Sequence, residues 1–596
     1  MSFVAELKRR NVIRMAGLYL VGAWLLTQVA STVLPTFDVP SWVLRALIIV
    51  LALGFVPALI FAWVFELTPQ GLKRDAEVKP EESIAPQTAR RMDRLIILVL
   101  ICALVYFAFD KFVLAPRREA ADVAVANAAS AAQAATKKSI AVLPFVNMSG
   151  DPKNDYFSDG ITEEILNALA QIADLKVAAR TSAFAFKGKD QDLRKVGETL
   201  DVATVLEGSV QRAGDDVRIT AQLIDTRTGF HLWSEKYDRK LINIFAVEDE
   251  ISKAIAGKLQ IQLGGEHAGV GNTSNPQAHE LYLRGLSLLA ARGTGLRDAA
   301  AAFGKAVELD PNYAQAWGAL AETEQLLPAY TGEDIDAARA HAEVAAQRAL
   351  GIDPDTASAL VAMANVHVLR SEWAQAEQAF RRALNLAPGD AEAVNQYAQF
   401  LNNTGQLEPA LQQIDRARQL DPLSTIIGVV RTTILMGLHR DAEAVVQIET
   451  SLAGNPEFYP GCLVAVVLYV GLERHVDAET QLRVVARHLG VDPEAKVVLV
   501  RGITDPASRV AALNSLDRAP ANADIRGDQL IYSAFLVLLG ERERAIDELE
   551  SYATRRSAAA GGMLWTRPFD PLRSDPRFQA VMKKMDLPYK PAADAP

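Results

Sequence analysis

Asn395, Gln399 and Asn402 follow Glu392 at steps of three, four and three residues, with Asn403 beside the last. That spacing lines them up on one face of an α-helix. A primary amide carries two N–H donors and a carbonyl acceptor, so such a strip can bond the main chain or terminal carboxylate of another polypeptide. A solvated helix face explains the same residues, because polar side chains on the outside are the default. Other chemistries find no support. The eight histidines are scattered without HExxH spacing and there is no CxxC pair, so no metal site and no cofactor is expected. Neither a GxxxxGK[ST] phosphate loop nor a GxSxG elbow is present, and no catalytic residue is nominated: the chain is not expected to be an enzyme. The turn Ser149-Gly150-Asp151 could hold an anion, and Arg180, Thr181 and Ser182 end a strand where α/β folds often place ligand contacts. A plain turn and a capped loop explain them equally simply. A net charge of −10 removes the electrostatic footprint of a nucleic-acid binder.

What must position the strip is a repeat. Ala342, Ala376, Ala410, Ala444 and Ala478 recur every 34 residues, shadowed by Pro354, Pro388, Pro422 and Pro456. A period of 34 with a small residue where helices cross and a proline where they end describes stacked helix–turn–helix units. The unit from Ala357 carries Leu360, Met363 and Ala364, then Ala376, Phe380 and Ala383; the next carries Val394, Tyr397 and Ala398, then Ala410, Ile414 and Ala417. These residues resemble the tetratricopeptide repeat. From Pro311 to Pro354 the spacing stretches to 43 residues, which suggests a loop around Leu327 to Gly332. The array is expected over 275–588, degenerate after about 490. In the resembled repeat the second, fifth, ninth, twelfth and thirteenth positions line the inner groove. The resemblance therefore places Asn395, Gln399, Asn402 and Asn403 there, joined by Gln315, Glu322, Gln325 and Asn365 from neighbouring units.

A chain of 596 residues exceeds one core and should divide into several domains. Its mean hydropathy is positive despite 22% charged residues, because of the first 115 positions. There, apolar runs at about 15–34, 43–65 and 95–114 are each near the ~20 residues that cross a bilayer. Residues 1–115 thus read as a membrane module with three transmembrane helices. Lys8, Arg9, Arg10 and Arg14 precede the first run, and Lys73, Arg74, Lys79, Arg90, Arg91 and Arg94 lie between the second and third. The positive-inside rule then puts the N-terminus in the cytoplasm and everything after about residue 115 outside it, in the periplasm of a bacterial inner membrane. Cys102 and Cys462 are too far apart in kind of segment to pair, so no disulfide framework is expected.

Residues 116–138 form an alanine-rich linker. Beyond it, 139–263 alternates short apolar strands with helical patterns: a strand from Ser139, a helix behind a cap at Asp159, a strand at Lys176–Ala179, a helix at Leu193–Leu200, a hairpin around Ala213–Asp216, a strand from His231 and a closing helix from Ile244. That pattern makes an α/β domain.

The strings AVLPFVNMSGDPKNDYFSDGITEEILNAL, LEGSVQRAGDDVRITAQLID and HLWSEKYDR resemble the TolB-like (FlgO-related) domain of bacterial membrane-anchored regulators, which tetratricopeptide repeats commonly follow. ELKRRNVIRMAGLYLVGAWLLTQVA, FELTPQGLKRD and the tail from Pro568 to Phe578 also look like parts of such proteins. The resemblance fits a multidomain chain and implies little about function; taken with the repeats, the leading expectation is a non-enzymatic adaptor that holds protein or peptide partners on the periplasmic side. Relatives often carry an N-terminal cyclase, kinase or DNA-binding output domain. With about a dozen residues before the first apolar run, none is expected here. The alternative is a signalling subunit that senses a periplasmic ligand and acts on a separate cytoplasmic effector.

Overall fold

The structure is a computed structural model and describes residues 12–33, 42–68, 71–74, 97, 101, 138–189, 192–241, 244–259, 273–291, 295–331, 333–518, 529–555 and 561–585. The chain divides into two compact units, Met1–Ala131 and Ala132–Pro596.

In the first unit, α1 (Val12–Val33) and α2 (Trp42–Val64) pack together, with the Tyr19 hydroxyl donating to the Leu51 carbonyl at 2.7 Å. Of the described helices only α2 is long and apolar enough to cross a membrane. The apolar stretch of α1 is Met15–Gln28, about 20 Å at ~1.5 Å per residue, short of the ~30 Å hydrocarbon layer. The third run, 95–114, lies outside the described residues except at 97 and 101. The expectation of three spans is therefore corrected to one helix that meets the criterion. After α2, the strands β1 (Phe65–Thr68) and β2 (Gly71–Arg74) pair antiparallel.

The second unit is mostly helical: a tetratricopeptide-like superhelix with a small mixed sheet at its start. Strands β3 (Ser139–Val142), β4 (Val146–Asn147), β5 (Lys176–Ala178), β6 (Thr204–Ala213), β7 (Asp216–Asp225) and β8 (His231–Lys240) run in the order β5-β3-β6-β7-β8, with β4 paired to β6. The β3–β5 and β3–β6 pairs are parallel, and β6-β7-β8 is an antiparallel meander. β6 turns into β7 through Gly214, whose φ of +62° suits a residue without Cβ. Helices α3 (Asp155–Ala170) and α6 (Ile244–Lys258) cover one face through Phe157, Ile161, Ile165, Val247 and Ile251, all fully buried. The short α4 (Arg180–Phe184) and α5 (Leu193–Leu200) complete the domain. The proposed cap at Asp159 is corrected. The helix starts four residues earlier, behind a 3-10 turn whose cap is Asp151, and Asp159 sits inside it, held by Lys187 at 2.5 Å.

The repeats follow as helix pairs: α7 (Pro276–Ala291) and α8 (Gly295–Leu309), α9 (Ala314–Thr331) and α10 (Ile335–Ile352), α11 (Ala357–Leu369) and α12 (Trp373–Leu386), α13 (Ala391–Asn403) and α14 (Leu407–Leu420). Then come α15 (Thr425–Gly437) and α16 (Asp441–Gly454), α17 (Tyr459–Gly471) and α18 (His475–Leu489), α19 (Pro493–Thr504) and α20 (Pro506–Arg518), and α21 (Gln529–Leu538) and α22 (Arg542–Arg555). All five alanines of the ladder are 0% exposed, because a methyl group is what lets two helix backbones approach. In the long unit Leu327 to Thr331 are helix and not loop, and Gly332 lies outside the described residues. Helices α9 and α10 each extend to 18 residues. Helix carries Leu327 into the core at 3% exposure, and Pro328 costs one main-chain bond near the helix end.

Candidate peptide-binding face

The first helix of each pair carries the candidate residues, and the structure divides them. Asn365 on α11 donates to the side-chain carbonyl of Gln325 on α9 at 3.1 Å and to that of Gln396 on α13 at 2.6 Å. Gln325 in turn donates to the Ala362 carbonyl at 2.8 Å, and Gln396 to Glu392 at 3.0 Å. An amide ladder thus crosses three successive repeats. Gln396 was missed, although Asn365 and Gln396 are 31 residues apart, close enough to the 34-residue period to pair across adjacent helices. Glu322 and Gln399 are half-buried on the same helices.

The other amides are not a solvated strip. Asn395 is 1% and Asn402 4% exposed, on a helix whose Val394, Tyr397, Ala398 and Leu401 belong to the core. The side-chain carbonyls of Asn395, Asn402 and Gln315 are buried with no hydrogen-bond partner among the described residues. Each is an acceptor that lacks a donor, at a cost of about 1–3 kcal/mol.

Asn402 and Asn403 lie under the chain's own C-terminal segment. Residues Gly561–Trp565 and Arg567–Leu572 form two 3-10 turns, shaped by Pro568 and Pro571, and α23 (Pro576–Lys584) follows. The Trp565 indole donates to the Asn402 carbonyl at 2.9 Å, and the Gly562 amide donates to the Asn403 side-chain carbonyl at 3.0 Å. Leu564, Phe569 and Phe578 are fully buried in one core with residues of α13, α15, α17 and α21. Gly405, at φ +81°, ends α13 where a Cβ would lie 2.6 Å from the indole. Arg567 pairs with Asp441 at the start of α16.

The α/β domain is joined to the repeats on two sides. On one, Glu280 of α7 takes both guanidinium nitrogens of Arg212 from β6 at 3.0 and 3.1 Å and the Tyr156 hydroxyl at 2.5 Å. Beside them the Tyr282 hydroxyl donates to Glu164 at 3.1 Å, and a Cβ on Gly160 would strike Leu283. Burial pushes the Glu163 carboxyl up to about 7 although Arg180 sits 3.0 Å away, and burial does the same to Glu164. His279 in the same layer is driven down to about 3 by burial. A cleft of about 670 Å3 opens here, lined by Lys153, Tyr156, Gln277, Glu280, Leu281 and Arg284. On the other side, the Ala179 amide donates to the Leu420 carbonyl at 2.8 Å, Ser182 donates to Asp421 at 2.5 Å, and the Gly389 amide donates to the Ala170 carbonyl at 2.9 Å. Arg180, Thr181 and Ser182 therefore do not end an open strand; they begin α4 and form this joint. At Ser149-Gly150-Asp151, the Ser149 hydroxyl accepts from the Arg212 amide and Asp151 caps the next turn, which is a structural turn.

No family model matches the chain. Over 192 residues, 32% of its length, it is 45% identical to putative adenylate cyclase 3 of Rhizobium meliloti (strain 1021). The match covers 33% of that protein, so the chain spans about a third of the relative's length. Among solved structures, Pseudomonas aeruginosa PilF aligns at 24% identity over 34% of this chain and 90% of its own, with a TM-score of 0.28. YrrB, a TPR protein with an unusual peptide-binding site, aligns at 22% identity over 32% and 92%, with a TM-score of 0.24. The human IFIT1 dimer with m7Gppp-AAAA aligns at 16% identity over 57% and 77%, with a TM-score of 0.36.

Proposed function

We propose that this chain is a non-enzymatic adaptor, anchored in a bacterial inner membrane, that holds protein or peptide partners on the inner face of its repeats. The observation that carries the reading is the amide ladder Gln325–Asn365–Gln396, which presents hydrogen-bonding groups from three repeats in one line. An extended peptide laid across it meets one repeat after another and gains a main-chain hydrogen bond at each. The α/β domain resembles the TolB-like family and serves as the wall of this scaffold, since the buried acidic layer and the Ser182–Asp421 joint tie it to the array.

The test is crosslinking in intact cells with the Asn365→Ala, Gln396→Ala double variant. Capture of co-purifying proteins should weaken by about 0.5–1.5 kcal/mol for each hydrogen bond lost, with circular dichroism unchanged. Undiminished capture by a folded variant moves the site off this face. Placement outside the cytoplasm has its own test. If α1 and the 95–114 run cross along with α2, an alkaline phosphatase fusion after residue 140 should be active and one at residue 80 inactive, because ten positive charges lie before the first apolar run and between the second and third. The reverse pattern puts the repeats in the cytoplasm.

A second reading is a signalling subunit, favoured by the 192 residues shared with a protein described as a putative adenylate cyclase. In that reading the shared third is a regulatory module and the cyclase is supplied by another protein. Cyclic AMP levels that follow deletion of this chain, with no cyclase activity in the purified chain, would favour it over the adaptor.

A further inference from the structure

The segment from Gly561 to Leu572 has the marks of a bound peptide. It lies across the first helices of four pairs, α13, α15, α17 and α21, and joins their core through Leu564, Trp565, Phe569 and Leu572. Its polar contacts are those of peptide recognition. A main-chain amide donates to the Asn403 side chain, an indole donates to a main-chain carbonyl, and a guanidinium meets Asp441. The receiving surface is shaped for it on both sides. Gly405 clears the slot for the indole, with Gly437 also against Trp565, and Gly562 lets the segment's backbone press onto the Asn402 amide.

We infer that residues 561–572 are an internal ligand of the inner face, seated where a partner binds by displacing them. The partner it fits is a segment that takes the same 3-10 turns and presents an indole, a cation two residues on and a phenyl ring two further, matching Trp565, Arg567 and Phe569. The indole fills the Gly405 slot, the cation pairs with Asp441, and the phenyl ring enters the core. The inference deepens the adaptor reading and rests on it, but its test needs no cellular partner, so a failed capture at the Asn365 ladder and a failed exchange here are separate outcomes.

The experiment uses the full chain in detergent and a fluorescent synthetic peptide of residues 561–585, read by anisotropy. Wild-type chain, with its own segment seated, should bind the peptide weakly. A Trp565→Ala, Arg567→Ala chain should bind it at least about tenfold more tightly, the equivalent of ~1.4 kcal/mol. Adding Gly405→Leu should abolish that binding, and adding Asp441→Ala should weaken it by up to about fivefold, the most a partly exposed ion pair supplies. A folded double variant that gains no peptide binding, or binding that survives Gly405→Leu, overturns the inference and leaves the segment a fixed cap. If the double variant does not fold, Arg567→Ala alone decides, since it loosens only an ion pair whose arginine is 45% exposed. A folded Arg567→Ala chain that binds no more peptide than wild type also overturns it.

Discussion

The two halves of the repeat array are built from the same helix pairs but have opposite inner faces. Across α9, α11 and α13 the face is held by side-chain amides bonded to one another; across α13, α15, α17 and α21 it is filled by apolar side chains of residues 561–572. Helix α13 belongs to both, with Gln396 in the ladder and Asn402 and Asn403 under the segment. Polar bonding with partial exposure leaves a surface that can exchange partners, whereas buried aromatic rings make a surface that needs an occupant. The repeat fold is the same in both halves, and the residues at the same few positions decide whether the face is half-open or covered.

The sharpest way to break this comparison is Phe569→Ala. The ring is 0% exposed, and its removal should cost about 3–5 kcal/mol. Amide hydrogen exchange should accelerate in α13, α15, α17 and α21 and stay near wild type in α9 to α12. Equal acceleration in both halves would show that the segment supports the whole array and not one part of it.

Ala376→Leu probes the other half with a smaller effect. A leucine at a fully buried crossing of α11 and α12 overpacks it by about 1–3 kcal/mol, and the neighbouring pairs should loosen because stacked repeats share interfaces. An unchanged melting curve would mean that this crossing has room to spare.

The smallest expected effect is a slope with pH at the joint between the α/β domain and α7. The Glu163 carboxyl is raised from 4.5 to about 7 by burial, so its contribution is complete below pH 4.5 and is lost as pH rises through about 7. His279 is lowered from 6.5 to about 3, so its contribution is complete above pH 6.5 and is lost as pH falls toward 3. Between 6.5 and about 7 the buried Glu163 and Glu164 carboxyls still lose protons while the His279 contribution is already complete. The melting temperature in detergent should therefore fall from pH 6.5 to about pH 8, and Glu163→Gln should flatten the fall. A Gln variant with the wild-type slope would assign it to other groups.

The repeats were legible because their constraint is local and periodic. Each of Ala342, Ala376, Ala410, Ala444 and Ala478 occupies the same crossing, and Pro354, Pro388, Pro422 and Pro456 each sit in the turn after a second helix. A second 34-residue ladder was not legible. Ser371, Gly405, His439 and Glu473 all adopt left-handed backbone, with φ from 56° to 81°, at the turn inside each pair. Only the glycine advertises that conformation in sequence; the other three are held in it by packing and by the helix-ending bonds around them. The candidate face was half legible. Gln325 and Asn365 bond to each other across neighbouring repeats, while Asn402 and Asn403 are covered by a segment about 160 residues away that no local pattern connects to them. Arg180 and Ser182 misled for the same reason, since their partners Glu163 and Asp421 come from other elements.

A free-standing stack of repeats is a line, and a line can fray from its ends one unit at a time. Here Ser182 reaches Asp421 across 239 positions, and Trp565 reaches Asn402 across 163. Each tie closes a long loop whose entropy must be met before its contacts form, so the array should assemble late and slowly for a helical protein. Once closed, the fourth pair cannot open without releasing the sheet domain behind it and the tail in front of it. The chain trades the gradual unravelling of a solenoid for an array whose middle opens only after a long-range tie has broken.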